Sequence, residues 1–172
     1  ACAPPGYCFV QCARPRPVTE MTSDKVNHGG VCLFHHSSLK AKRVDFGVFK
    51  SFEYVSAYIT GSTLTLLFIV IFRPGSVTLS QLFFDDFSDL LERSATYASS
   101  LVIAGDMNIH LDIATDQSTV KFNDILDSHG LVQHVIGPTQ VTGHCLDVLI
   151  TRQELCVRSV ETSPPSLSDH ST

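Results

Sequence analysis

The stretch Leu64-Thr65-Leu66-Leu67-Phe68-Ile69-Val70-Ile71-Phe72 restricts the fold of this chain more than any other. A run of nine apolar-rich residues is far shorter than the roughly 20 that a helix needs to cross a bilayer, so it is not a membrane span. Toward its end it is apolar on both side-chain parities, as expected for a central strand covered on both faces. Arg73-Pro74-Gly75 then stops it. With 172 residues, 44% hydrophobic and 17% charged, the chain can build one domain with a sizeable core.

The flanking segments supply further elements. Val31 to Phe34 follows the Gly29-Gly30 turn as a short strand, and Phe52 to Ile59 is a second, rich in aromatic and β-branched residues. Leu79, Leu82, Phe83, Phe87, Leu90 and Leu91 recur at helical spacing, with Asp85, Asp86, Asp89 and Glu92 between them and Thr78 or Ser80 as the cap. Leu101 to Ala104 reads as a buried strand. Val120 to Ser128 reads as a shorter helix ending at Gly130, and Leu131 to Ile136 and Leu146 to Thr151 as strands. Residues 1–27 hold four prolines and no sustained period, and are expected to be mostly loop. No repeat or linker divides the chain, so a single domain over 1–172 is expected.

A net charge of −5 provides no global attraction to nucleic acid. Any such binding has to rest on local patches such as Lys40, Lys42 and Arg43, which read as a charged loop. Six cysteines show no Cys-x-x-Cys spacing, which leaves cysteine-bound zinc unsupported and favours reduced thiols in an intracellular, nuclear or cytoplasmic protein.

The chemistry concentrates where strands end. Gly105-Asp106-Met107-Asn108 directly follows the strand Leu101 to Ala104, and ligands of open α/β sheets bind beyond the carboxyl ends of strands. Leu146-Asp147 opens another strand, and Ser168-Asp169-His170 lies near the end of the sequence. His110 and Asp112, just after the first motif, suit a structural or substrate-rim role. His35, His36, His129, His134 and His144 have no carboxylate or cysteine neighbours at ligand spacing and read as ordinary histidines.

In order, Gly29-Gly30-Val31, Phe72-Arg73-Pro74-Gly75, Gly105-Asp106-Met107-Asn108, Pro138-Thr139-Gln140 with Gly143 and Leu146-Asp147, and Ser168-Asp169-His170 resemble the endonuclease/exonuclease/phosphatase superfamily. Within it, the resemblance is nearest to the endonuclease domain of LINE-type non-LTR retrotransposons. It implies an α/β fold, a four-layer α-β-β-α sandwich of two packed mixed sheets, incomplete at both ends. It also implies Mg²⁺-dependent (or Mn²⁺-dependent) hydrolysis of DNA phosphodiesters, no membrane association, and further domains of a retrotransposon polyprotein as partners.

The resemblance implies that Asp106 orients and activates water, that Asn108 donates to the phosphate, and that His170 contacts the scissile phosphate with Asp147 as its partner. Asp169 would lie at the metal, and Phe72 and Arg73 would meet substrate. The family's metal-binding glutamate, which precedes the segment that Pro5-Gly6-Tyr7 resembles, has no counterpart, so the chain is expected to be an N-terminally truncated domain of weak activity. Phe72 stands where a tyrosine is frequent, and Gln140 where a histidine is usual. The alternatives are an inactive remnant that binds nucleic acid weakly, and a phosphomonoesterase of the same fold.

Overall fold

The computed structural model describes residues 3–14, 29–97, 100–164 and 168–170. Among them the elements are β1 (Tyr7–Ala13), β2 (Gly30–His36), β3 (Lys40–Val44), β4 (Glu53–Thr60), β5 (Thr65–Phe72), α1 (Gln81–Ala95), β6 (Leu101–Asp106), α2 (Gln117–Ser128), β7 (Leu131–Gln133) and β8 (Asp147–Arg152). β1 and β2 form an antiparallel pair. The other six strands form one mixed sheet in the order β3-β4-β5-β6-β8-β7, in which β5 and β6 run parallel.

The apolar run takes the place its pattern dictates, as β5 in the middle of this sheet, and α1 is the crossover that a parallel β5–β6 pair requires. Alternation divides its side chains between two faces. On one face Leu67, Ile69 and Ile71 join Leu101, Ile103, Val148 and Ile150 against Phe83, Phe87 and Leu90 of α1 and Phe122 of α2. Stacked rings, Phe83 on Phe87 at 5.8 Å and Phe87 on Phe122 at 5.2 Å, carry this core from one helix to the other. On the opposite face Val55 and Ala57 are buried where β1 and β2 approach β4. The chain is thus an α/β sandwich with two packed sheets. Among the described residues both helices cover the larger sheet, and the smaller sheet is antiparallel rather than mixed.

Four sequence expectations need correction. Tyr7–Ala13 is a strand, not loop; its ladder with Gly30–His36 supplies the hydrogen bonds that a weak local pattern did not announce. Residues 15–27 of the expected loop lie outside the described residues. Lys40, Lys42 and Arg43 belong to the edge strand β3, whose charges keep an exposed edge from pairing with other chains. The strand expected over Leu131 to Ile136 stops at Gln133, because the Gln133 side chain accepts from Val135 N (2.6 Å) and donates to Val135 O (2.8 Å) in place of a ladder partner. α2 also begins earlier than its apolar spacing suggests, since Asp116 accepts from Ser118 N and Thr119 N and caps it.

Gly105 is fixed by the β5–β6 pairing. Its φ is +133°, and a Cβ there would lie 1.9 Å from the carbonyl oxygen of Ile71. Gly105→Ala is therefore expected to destabilise the chain by roughly 3 kcal/mol or more, read as a fall in the urea midpoint. An unchanged midpoint would show that the two strands do not approach this closely.

Candidate active site

Cross-strand pairing brings four side chains into one row at one end of the large sheet. Glu53 of β4 faces Phe72 of β5, Phe72 faces Asp106 of β6, and Asp106 faces Asp147 of β8. Directly opposed residues have Cβ atoms about 5 Å apart, so Asp106 and Asp147 share a face by register alone.

The chain beyond β6 is held by the Arg73 guanidinium. Arg73 is only 4% exposed and donates to Met107 O (2.6 Å), Asn108 O (2.6 Å), Val77 O (2.7 Å) and Pro74 O (3.3 Å). Burial lowers its pKa, with the Asp106 charge acting the other way, and a guanidinium stays charged regardless. Expected to meet substrate, Arg73 instead directs its donors to backbone carbonyls and shapes the turn.

That turn places Asn108 at φ +49°, a left-handed conformation that asparagine tolerates. Asn108 N donates to Asp106 Oδ1 (2.8 Å), while its amide nitrogen donates to Asp106 Oδ2 (2.8 Å) and Arg73 O (2.8 Å). Gly75 leaves the room for this, since a Cβ on it would lie 2.5 Å from Asn108 Oδ1. Here the Asn108 amide holds the Asp106 carboxylate in place.

Asp147 is positioned by the buried Thr139 hydroxyl, which accepts from Leu146 N (2.9 Å) and Asp147 N (3.1 Å). The same loop receives the C-terminal segment through a bridge between Gln140 and His170 and a bond from Val141 N to Asp169 O (3.0 Å). His170 Nδ1 then lies 2.8 Å from Asp147 Oδ2, and its Nε2 lies 3.9 Å from Asp106 Oδ2. Gln140, in the usual place of a histidine, bridges through its backbone and donates from its side chain to Asp169 Oδ2 at 3.2 Å.

The electrostatics are coupled. Burial pushes the Asp106 carboxyl up, and the Asp147 charge adds to this, while the bonds from Asn108 and the charge of His170 oppose it; the net is a rise. For His170, burial acts downward, but the hydrogen bond and charge of Asp147, with the charges of Asp106 and Asp169, outweigh it and hold the imidazole above its ordinary value. Asp169, exposed, is held low chiefly by the Gln140 bond.

Among the described residues, Asp106, Asp147 and His170 have ligand atoms within 4.8 Å of one another. Two carboxylates and an imidazole suit a divalent cation, and the raised Asp106 pKa marks a negative charge that a cation there would offset. Asp169, expected at the metal, is not in this group. Phe72 lies beside Asp106 in the row, and the Arg14 guanidinium carbon sits 5.8 Å from its ring centroid. The row's Glu53 was not visible as a site residue in the sequence; it pairs with Arg14, and its buried Oε2 has no hydrogen-bond partner among the described residues. His144, read as an ordinary histidine, lies 3.1 Å from Asp112, because the loop before β8 folds back on the segment after β6.

Residues 3–170 match the model of the Endonuclease/Exonuclease/phosphatase family. The chain belongs to this family. Among solved structures, the endonuclease domain of TRAS1, a telomere-specific non-LTR retrotransposon, is similar with a TM-score of 0.71 at 10% identity over 96% of this chain and 77% of that one. A 3′-phosphatase from Neisseria, solved with a product DNA hairpin, gives 0.66 at 17% identity over 96% and 77%. A mannosyl-6-phosphatase from Bacteroides thetaiotaomicron gives 0.62 at 12% over 97% and 75%. At such identities these likenesses show the fold. No curated protein is similar in sequence. Among the described residues, no helix is long and apolar enough to cross a membrane.

His170 should titrate above the ordinary histidine value, so its charged form persists to higher pH. A raised folded-state pKa stabilises the fold fully below the unfolded value, and that stability is lost as pH rises through the folded one. Asp147→Asn should bring the His170 pKa down, because burial then acts with less opposition; imidazole NMR shifts followed against pH read this directly. A titration that Asp147→Asn leaves in place would break the pairing.

Proposed function

We propose that the chain hydrolyses phosphodiester bonds in DNA with the help of a divalent cation, Mg²⁺ or Mn²⁺, as the nicking domain of a retrotransposon polyprotein. The observation that supports this most is the convergence of Asp106, His170 and Asp147 at the strand ends, with separations of 3.9 and 2.8 Å. Family membership supplies the reaction class, phosphoester hydrolysis.

The residues divide the work by chemistry. Asp106, with both oxygens oriented by Asn108, presents a carboxylate to orient and deprotonate water. His170 donates from Nε2 to a phosphate oxygen, while Asp147 accepts from Nδ1 and so fixes the tautomer. Its raised pKa keeps the imidazole charged toward neutrality, where it offsets phosphate charge. Asp106 and Asp147 would hold the cation, which when bound stabilises charge on the phosphate oxygens. Asp169, exposed and bonded by Gln140, stands outside the convergent group and would meet a hydrated ion through water. Phe72 offers a ring face beside Asp106 in place of a tyrosine hydroxyl. Arg73 serves by holding the turn.

With two carboxylates in the convergent group, the cation is held weakly, and the metal requirement should saturate only at roughly millimolar concentrations. Plasmid nicking should depend on Mg²⁺ or Mn²⁺ and fall about a hundredfold or more in Asp106→Ala and in His170→Ala. Nicking that persists in both variants would refute the assignment. A second reading, a phosphomonoesterase, is favoured by the net charge of −5, which provides no broad basic track for a duplex. Hydrolysis of a small phosphomonoester without DNA cleavage would select it, and hydrolysis of neither would select an inactive remnant.

A further inference from the structure

A second group of metal-type ligands lies beside the first. The segment after β6 carries His110 and Asp112, and the loop before β8 carries His144. His110 Nδ1 and His144 Nδ1 are 3.1 Å apart, and His144 Nδ1 is 3.1 Å from Asp112 Oδ2. All three ligand atoms fall within 4.8 Å of one another, and His110 and Asp112 are exposed.

This packing poses a proton problem. His144 Nδ1 faces an imidazole nitrogen and a carboxylate oxygen together. One N–H on His144 can be directed at only one of them, and an N–H on His110 instead leaves Asp112 facing a lone pair. A single cation at the centre would accept all three lone pairs. Zinc–ligand bonds of about 2.0–2.1 Å put tetrahedral neighbours about 3.3–3.4 Å apart, close to the two observed separations. The other Asp112 oxygen, Oδ1, accepts from Cys145 N at 2.9 Å and so orients the carboxylate from behind.

We propose that His110, Asp112 and His144 form a zinc site, with a fourth position open to water, separate from the Asp106, Asp147 and His170 group. Two imidazoles and one carboxylate select a borderline transition ion, whereas Mg²⁺ prefers an all-oxygen shell. The ion would clamp the segment that follows Asn108 to the loop that leads into Asp147 and β8. Its role is structural, and it holds whether or not the chain cleaves DNA.

The test uses Asp106→Asn/His170→Ala, which disables the neighbouring group, in reducing buffer with Zn²⁺ competed against a chromogenic chelator. One equivalent should bind, with a rise in melting temperature. Co²⁺ in its place should give tetrahedral d–d absorption without a sulfur charge-transfer band. Adding His144→Gln or, separately, the exposed His110→Gln should weaken binding at least tenfold. Should His144→Gln fail to fold by circular dichroism, His110→Gln decides alone. Absence of a stoichiometric ion, a thiolate signature, or affinity unchanged by His110→Gln would overturn the site.

Discussion

The Arg73 clamp is the contact on which the site depends. A buried guanidinium is costly unless its donors are met, and here carbonyls on both sides of the β6 turn meet them. This fixes Met107 and Asn108 against the end of β5. Asn108 can then occupy its left-handed conformation and hold both oxygens of Asp106. Arg73 thus reaches the chemistry through backbone, and lysine, with a single nitrogen, has no fork to span these carbonyls.

Sheet register does the remaining positioning. Asp106 and Asp147 are opposed because β6 and β8 pair antiparallel, which places the end of one strand beside the start of the other. Opposed carboxylates repel, and the structure offsets this with hydrogen bonds to Asp106 and with His170 between the two. The result is a local imbalance, a raised Asp106 and a raised His170, of the kind that proton-transfer sites show.

Much of this was legible in the sequence. The central position of β5 follows from an apolar run on both parities, and α1 from its helical spacing. Asp106, Asp147 and His170 were singled out by the family resemblance that the order of short motifs carries, each motif being weak alone, and the structure brings the three side chains together. The clamp role of Arg73 was not legible, since four bonds to backbone carbonyls and a contact to phosphate leave the same Arg-Pro trace. Glu53 was hidden for a different reason. Its place in the row with Phe72, Asp106 and Asp147 comes from antiparallel pairing with Phe72, a non-local register that no window of sequence contains. The strand Tyr7–Ala13 was missed likewise, because its stability lies in its pairing with β2.

The two ligand groups clarify each other. Both lie where the end of β6 meets the start of β8, and both combine imidazole with carboxylate, yet they differ in donor balance. Asp106, Asp147 and His170 weigh toward oxygen and sit part-buried at the sheet end, a balance that suits the exchangeable cation of the proposed reaction. His110, Asp112 and His144 weigh toward nitrogen, and two of them are exposed, a balance that suits the structural ion proposed for them. Thr139 fixes one loop and Arg73 the other, backbone bonds from Met107 N to Leu146 O (3.0 Å) and from Leu111 N to Cys145 O (3.1 Å) join the two, and the proposed ion would lie across the same seam.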